Sequence, residues 1–447
     1  MVLFFQIKIL QMNFIFIIQK GVCLLQREFG KKGLNYIFRN DTLIRILMVF
    51  PTVLLIFAFI YDSPTYIFSG IHKIVVSPDI LLTDYLETGG LGAAFLNASL
   101  LTFANILIIY KLKAKINGPI IAALLTITGF SFFGKNIFNV WPIYLGGILY
   151  SRYRKTEFKN ILIVMMFSTA LAPIVTELSF GLHLTPYLRL PIGIVTGILS
   201  GFVATPLSAN MNKLHDGYNL YNMGFTAGLI GTIFNSLLKS FNINIAQQKI
   251  LSTEYDATLK LILLFFFLFL IVLGFLGNGR SFNGYERILK RSGRLVTDFT
   301  QHDGYSLTFL NMGIMGLLSM LFVIILGGVF NGPVFGSVLT VSGFSAFGKH
   351  PKNTIPIMAG VFLAGALKIW DLNATGVIIA GLFGTTLAPI AGKYGFLAGV
   401  VAGFLHLSVV MNVGIIHGGI NLYNNGFSGG IVASLMFPVL EALKKGE

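Results

Sequence analysis

"NGPIIAALLTITGFSFFGKN", residues 117–136, is written a second time as "NGPVFGSVLTVSGFSAFGKH" at residues 331–350. Over the first nineteen positions eleven are identical, at a constant offset of 214. Agreement among Leu and Ile is common by chance in an apolar chain. Agreement of Asn, Gly, Pro and Lys in one order is not. The same offset relates Asn97 to Asn311 and Pro142 to Pro356. A second block follows at offset 202. Here "HDGYNLYNMGFTAG", residues 215–228, meets "HGGINLYNNGFSGG", residues 417–430, with nine of fourteen positions identical. Gly193, Gly197 and Gly201 share that offset with Gly395, Gly399 and Gly403, and "LAP" at 171–173 recurs at 387–389. The chain is therefore an internal duplication, with one unit over 84–240 and the other over 299–447.

What surrounds the repeat decides its setting. Of 447 residues, 55 % are hydrophobic and 11 % charged, and the mean hydropathy is +0.80. A soluble domain carries about 25 % charged residues, so this chain lacks the polar surface to cover a globule. Fourteen apolar runs lie between residues 44 and 442. A crossing helix needs about 20 apolar residues, and shorter runs fit only inside protein. The runs at 118–134, 138–151 and 333–348 are short, which suits paired re-entrant segments as well as full crossings. The expected fold is an all-α integral membrane protein with about 12–14 transmembrane or re-entrant helices in two inverted-topology repeats.

Charge supplies the orientation. The net charge is +15, from 32 Lys+Arg against 17 Asp+Glu. The basic residues cluster between apolar runs, at 27–45, 111–115, 152–159, 280–294 and 444–445. With a cytoplasmic N-terminus and fourteen crossings, every basic cluster falls inside and the acidic loops at 62–90 and 240–257 fall outside, as basic cytoplasmic loops require. Six segments per unit plus one joining helix, 258–277, is an odd number, so the second unit enters from the opposite face. On this reading residues 1–43 are a basic cytoplasmic or interfacial segment and 44–83 a first transmembrane helix with its external loop. Residues 241–298 are a linker helix and basic cytoplasmic loop. The expected location is the cell membrane, multi-pass, with both termini cytoplasmic.

Several residues recur in both units where a solute path would need them. Asn117 and Asn331 open the short segments. Thr126 and Thr340, Thr128 and Ser342, Phe130 and Phe344, and Ser131 and Ser345 follow, and Lys135 and Lys349 close them at what would be opposite mouths. The Gly-Phe-Ser breaks would expose backbone that must face protein or a wet cavity; tight small-residue packing is the other reading. Asn97 and Asn311, Asn219 and Asn222, and Asn421 and Asn424 are amides inside apolar segments, suited either to solute coordination or to holding helices together. His215 and His417 precede the Asn pairs and read as proton carriers or as caps. The glycine ladders read as helix packing faces. Tyr221 and Tyr423 read as residues of an interfacial aromatic belt.

The sequence carries no P-loop and no HExxH, and no acidic residue sits in mid-segment in both units. Cys23 is the only cysteine, so thiolate metal clusters are ruled out. No metal, cofactor, catalytic set or nucleic-acid partner is expected. The order "DYLETGGLGAAFLNASLL", the "NGP…FGKN" stretch and "HDGYNLYNMGF" resembles a family of bacterial polytopic membrane proteins known only as a domain of unknown function, over residues 70–440. That resemblance implies no substrate. A weaker likeness, to urea transporters, rests on "GYNLYN" and "GINLYN" and carries no residues over. The sequence points to a transporter or channel for a small polar solute or ion at the interface of the two repeats. A membrane scaffold and an intramembrane enzyme are the alternatives. The partners expected are the lipid bilayer and the solute, with a homo-oligomer left open.

Overall fold

The computed structural model describes residues 38–79, 82–182, 185–245, 249–367 and 369–445; most of the expected N-terminal basic segment lies outside them. Among the described residues, nine helices are long and apolar enough to cross a membrane. Each of the fourteen apolar runs contains a helix. In chain order they are α1 (Asn40–Tyr61), α3 (Leu91–Lys111), α4 (Gly118–Phe130), α5 (Trp141–Tyr153), α6 (Phe158–Gly181), α7 (Pro186–His215), α8 (Asn222–Ser240), α9 (Asp256–Gly277), α10 (Tyr305–Ile325), α11 (Gly332–Phe344), α12 (Pro351–Leu367), α13 (Thr375–Tyr394), α14 (Phe396–Val413) and α15 (Asn424–Lys445). A further helix, α2 (Pro64–Val76), lies where the sequence suggested only an external loop.

The repeated stretch forms two short helices, α4 and α11. Asn117 and Asn331 are their N-caps, accepting from the backbone N–H groups of Ile120 and Val334 at 3.0 Å each, and Pro follows within the first turn, as helix starts favour. Both helices are apolar on every side, so both are buried in the middle of the molecule. They pack antiparallel. Gly129, near the end of α4, lies on Gly336, near the start of α11, while Gly343, near the end of α11, lies on Ala122. A Cβ on Gly129 would sit 2.5 Å from the Gly336 carbonyl oxygen, so the pair must be glycine for the helices to touch.

Two longer helices are interrupted at equivalent places. A 3₁₀ turn at Thr169–Leu171 divides α6, and one at Thr385–Leu387 divides α13. Each is followed by Ala-Pro, and the proline removes a backbone donor where the helix would otherwise run through. Five of the six ladder glycines pack closely, Gly201 of α7 against the Ile143 carbonyl of α5 and Gly403 of α14 against that of Ile357 in α12, whereas Gly395 has nothing within 4 Å of where a Cβ would sit and instead caps α14 at φ +90°.

Candidate solute site between the two units

The "NLYN" stretches are loops that lead into α8 and α15, and each reaches into the other unit. Leu220 donates its N–H to the carbonyl of Thr386 at the break in α13, and Leu422 does the same to Ala170 at the break in α6, both at 3.0 Å. The Asn219 amide donates to the Gly426 carbonyl at 3.1 Å and the Asn421 amide to that of Gly224 at 3.2 Å. Thr386 locks one crossing further, accepting from Tyr221 N–H at 2.9 Å and donating to Asn219 Oδ1 at 2.6 Å.

This crossing brings each tyrosine to the lysine of the opposite unit. Lys135 Nζ donates to the Tyr423 hydroxyl at 2.6 Å, and Lys349 Nζ to that of Tyr221 at 2.5 Å. Lys349 also donates to Thr385 Oγ1 at 2.7 Å. Each ammonium lies over aromatic faces: Lys135 over Tyr423 and Phe130, Lys349 over Tyr221 and Phe344. Such contacts are favourable for a cation, the more so when it is desolvated. Both lysines are fully buried, and neither forms an ion pair with a carboxylate among the described residues. The mouth positions expected for Lys135 and Lys349 are thereby corrected. They end the short segments buried in the protein, on the tight turns that follow α4 and α11.

Beside these pairs is a cavity of about 180 Å³. Its walls come from both units: Thr126, Phe130 and Tyr221 from one, Thr340, Phe344, Phe383 and Tyr423 from the other. Phe383 stacks on Phe130 with ring centroids 5.6 Å apart and meets Tyr221 edge-on at 5.9 Å. The wall is almost wholly apolar; the polar residues that contribute to it are Thr126, Thr340, Ser208, Tyr221, Tyr423, Asn222 and Asn425.

Of the residues singled out from sequence, Thr126, Thr340, Phe130, Phe344 and Asn222 line this cavity. The others sit around it. Asn97 donates to the carbonyls of Ser131 and Lys135 and accepts from Ile137 N–H; Asn311 donates to Ser345 and Lys349 and accepts from Tyr285. These amides hold the turns that carry the lysines. Thr128 bonds Leu124 and Thr102, Ser342 bonds Met312, and Ser131 and Ser345 bond back one turn within their own helices. Asn222 and Asn424 pair with His215 and His417 at 3.0 and 2.8 Å, tying the end of α7 to the start of α8 and the turn after α14 to the start of α15.

Sequence reasoning passed over Tyr221 and Tyr423 as belt residues, and over Thr385, Asn425 and three acids. Asp84 and Asp298 share the offset of 214, which was the available signal. Asp84 accepts from Gly332 N–H at 3.0 Å, at the start of α11, and Asp298 from Gly118 N–H at 3.2 Å, at the start of α4. Asp84 thus sits at the positive end of the second unit's short helix, and Asp298, the residue just before the second unit, at that of the first unit's. Burial raises the Asp84 carboxyl to about 6, against backbone N–H bonds from Leu86, Ser252 and Gly332 that favour the charged form. Asp79 has no twin. It is buried among Tyr85, Asn136, Asn139 and Thr176, which all donate to it, and burial raises it to about 7.

The chain belongs to the family described as a protein of unknown function, DUF1576, whose model matches residues 63–240 and 277–442. No curated protein and no solved structure matches it. The family resemblance read from the sequence is borne out; the likeness to urea transporters is not shown.

Proposed function

We propose that the protein is a transporter or channel for a small solute, with a path through the cavity between two units related as inverted repeats. The observation that carries this reading is the exchange of equivalent contacts. Lys135–Tyr423 matches Lys349–Tyr221, Asp84–Gly332 matches Asp298–Gly118, and Asn219–Gly426 matches Asn421–Gly224. A two-fold relation between the units maps each contact onto its twin. The antiparallel packing of α4 on α11 supports placing that axis in the membrane plane.

Solute sites in inverted-repeat transporters lie at the repeat interface, where broken helices leave backbone groups facing a cavity. The breaks in α6 and α13, the two crossing loops and the shared cavity fit that plan. A scaffold would gain nothing from two interrupted helices at its centre.

Two measurements test this in a Cys23→Ser background. Single cysteines replace Tyr153 and Leu367, exposed equivalents at the ends of α5 and α12. An impermeant thiol reagent on intact cells should reach one and not the other; labelling of both from one side would make the units parallel. Cysteines at Thr126 and Thr340 then report on the path. In proteoliposomes, thiol modification there should block solute flux, and flux that continues through a fully modified protein would remove the cavity from the path.

A further inference from the structure

We infer that the protein is a carrier with two alternating states, and that this is the state whose cavity opens only toward the face bearing the basic clusters. In the other state each unit takes the arrangement now held by the other unit, and the opening passes to the opposite face. The inference deepens the transport reading and rests on it, including the inverted relation between the units.

The cavity wall departs from the two-fold relation that the contacts around it obey. Part of the wall is paired. Thr126 is matched by Thr340, Phe130 by Phe344 and Tyr221 by Tyr423, and both members of each pair line the space. Elsewhere the pairing fails. Pro119, Ile163 and Phe347 are on the wall. Their equivalents are Pro333, Ile379 and Phe133, by the offset of 214 or, between α6 and α13, by that of the two "LAP" stretches. None of the three is on the wall, and all three are buried. A void spread evenly about a two-fold axis would touch both members of every pair. This one extends to one side.

That side is marked by charge. Val296 is on the wall and is 83 % exposed, so the cavity reaches the surface beside it. Val296 follows the basic cluster at 280–294, Pro119 follows that at 111–115 and Ile163 that at 152–159, each within four residues. The equivalent of Val296 is Leu82, in the acidic loop at 62–90, and it is off the wall. Basic loops face the cytoplasm, so the opening is inward.

The hydrogen bonds at the two helix breaks differ in the same sense. At the break in α13, Thr386 accepts from Tyr221 N–H and donates to Asn219, and Thr385 accepts from Lys349. At the break in α6 the residue matching Thr386 is Ala170, which has no hydroxyl. Thr169, matching Thr385, donates to the Met166 carbonyl and takes no bond from Lys135 among the described residues. The α13 side is clamped and the α6 side is slack. Accordingly Ile163 and Phe167 are partly exposed, while Ile379 and Phe383 are buried. Packed interfaces switch between discrete arrangements instead of deforming continuously. Inverted repeats supply two such arrangements, reached by moving one unit against the other around the shared site.

The test uses the full-length Cys23→Ser protein in right-side-out and inside-out membrane vesicles, with an impermeant thiol reagent. It compares Ile163→Cys, Ile379→Cys and the double variant, each confirmed as monodisperse after extraction. Ile163→Cys should label from the basic face. Ile379→Cys should label from the opposite face, at about 0.1–10 % of that rate, the share of a minor state. In the double variant a bulky adduct at residue 163 should hold the cavity open on its own side and slow labelling at 379 about tenfold or more. Thr386→Ala makes the two crossings alike and should speed labelling of Ile379→Cys about 2–10-fold, the worth of one hydrogen bond. Labelling at 379 from the opposite face that ignores the adduct at 163 would mean a path open at both ends. That would overturn alternation and leave transport standing, as a channel. No labelling at 379, with Ile163→Cys still reactive, would make the cavity a one-ended pocket and sink both readings. Labelling of both cysteines from the basic face would remove the inverted relation on which both rest.

Discussion

The Tyr221 hydroxyl lies 2.5 Å from Nζ of Lys349, 128 residues further along the chain and in the other half of the duplication. Its counterpart, Tyr423 with Lys135, spans 288 residues. Each unit thus supplies the acceptor for the other's buried cation, and neither unit alone completes a lysine site.

Removing an acceptor while keeping the cation should be costly. Tyr221→Phe leaves the Lys349 ammonium short of its hydroxyl partner and should cost about 1.5–3 kcal/mol, the range for hydrogen bonds to charged groups. Adding Lys349→Met in the same protein should recover most of that loss, because an apolar side chain of similar volume tolerates the site. Apparent melting temperatures of the single and double variants in detergent decide it; a Tyr221→Phe protein that melts like wild type would show that the bond contributes nothing.

Asp84 should make stability depend on pH. Its folded value is raised to about 6 from 3.8, so the folded state holds the proton more tightly than the unfolded chain does. The resulting stabilisation is fully present below the unfolded value and is lost as pH rises through about 6. Wild-type protein should therefore lose more apparent melting temperature between about pH 4 and pH 7 than Asp84→Asn, which lacks the titrating group. Asp79 is raised in the same sense and is common to both proteins, so the difference isolates Asp84. Parallel curves would count against the assignment.

Asn97 separates bracing from solute contact. Its amide makes three hydrogen bonds to buried backbone around the turn that carries Lys135. Asn97→Ala should destabilise the protein by at least about 2 kcal/mol, since buried polar groups lose their partners. Any remaining folded fraction should keep wild-type solute preference in flux assays. A stable Asn97→Ala protein with altered preference would return this residue to the path.

Gly129 and Gly336 should tolerate no side chain. A Cβ at Gly336 would come within 2.3 Å of the Gly129 carbonyl oxygen, a backbone atom that cannot swing away. Gly129→Ala or Gly336→Ala should cost about 1–3 kcal/mol by overpacking and lower the yield of monodisperse protein. Chromatography and thermal melts read the effect, and normal behaviour of both variants would mean that α4 and α11 separate more easily than their packing implies.

Much of the fold was legible because its signals are linear. Apolar runs mark helices since a lipid environment demands uninterrupted backbone bonding, and all fourteen runs contain one. Helix α2 was missed because Ser69, Gly70, His72 and Lys73 interrupt its 13-residue stretch, which is too short for a crossing and which hydropathy reads as loop. The recurring Asn, Thr, Phe and Lys residues did converge on one region. Their roles were less legible. Asn97 and Asn311 satisfy backbone, and the tyrosines, which any membrane chain could spend on its interfaces, turned inward.

By itself the sequence determined that this is a helical membrane chain, built by duplication, with two lysines closing two matched apolar stretches. Those properties are written residue by residue or by offset. Only the tertiary structure decided that each lysine is buried, that its partner comes from the opposite unit, and that one cavity is shared. That outcome depends on two short helices docking antiparallel through Gly129 and Gly336, and on two loops crossing beneath the breaks of α6 and α13. Contacts between positions more than a hundred residues apart follow from how these surfaces fit, which no local pattern in the chain encodes.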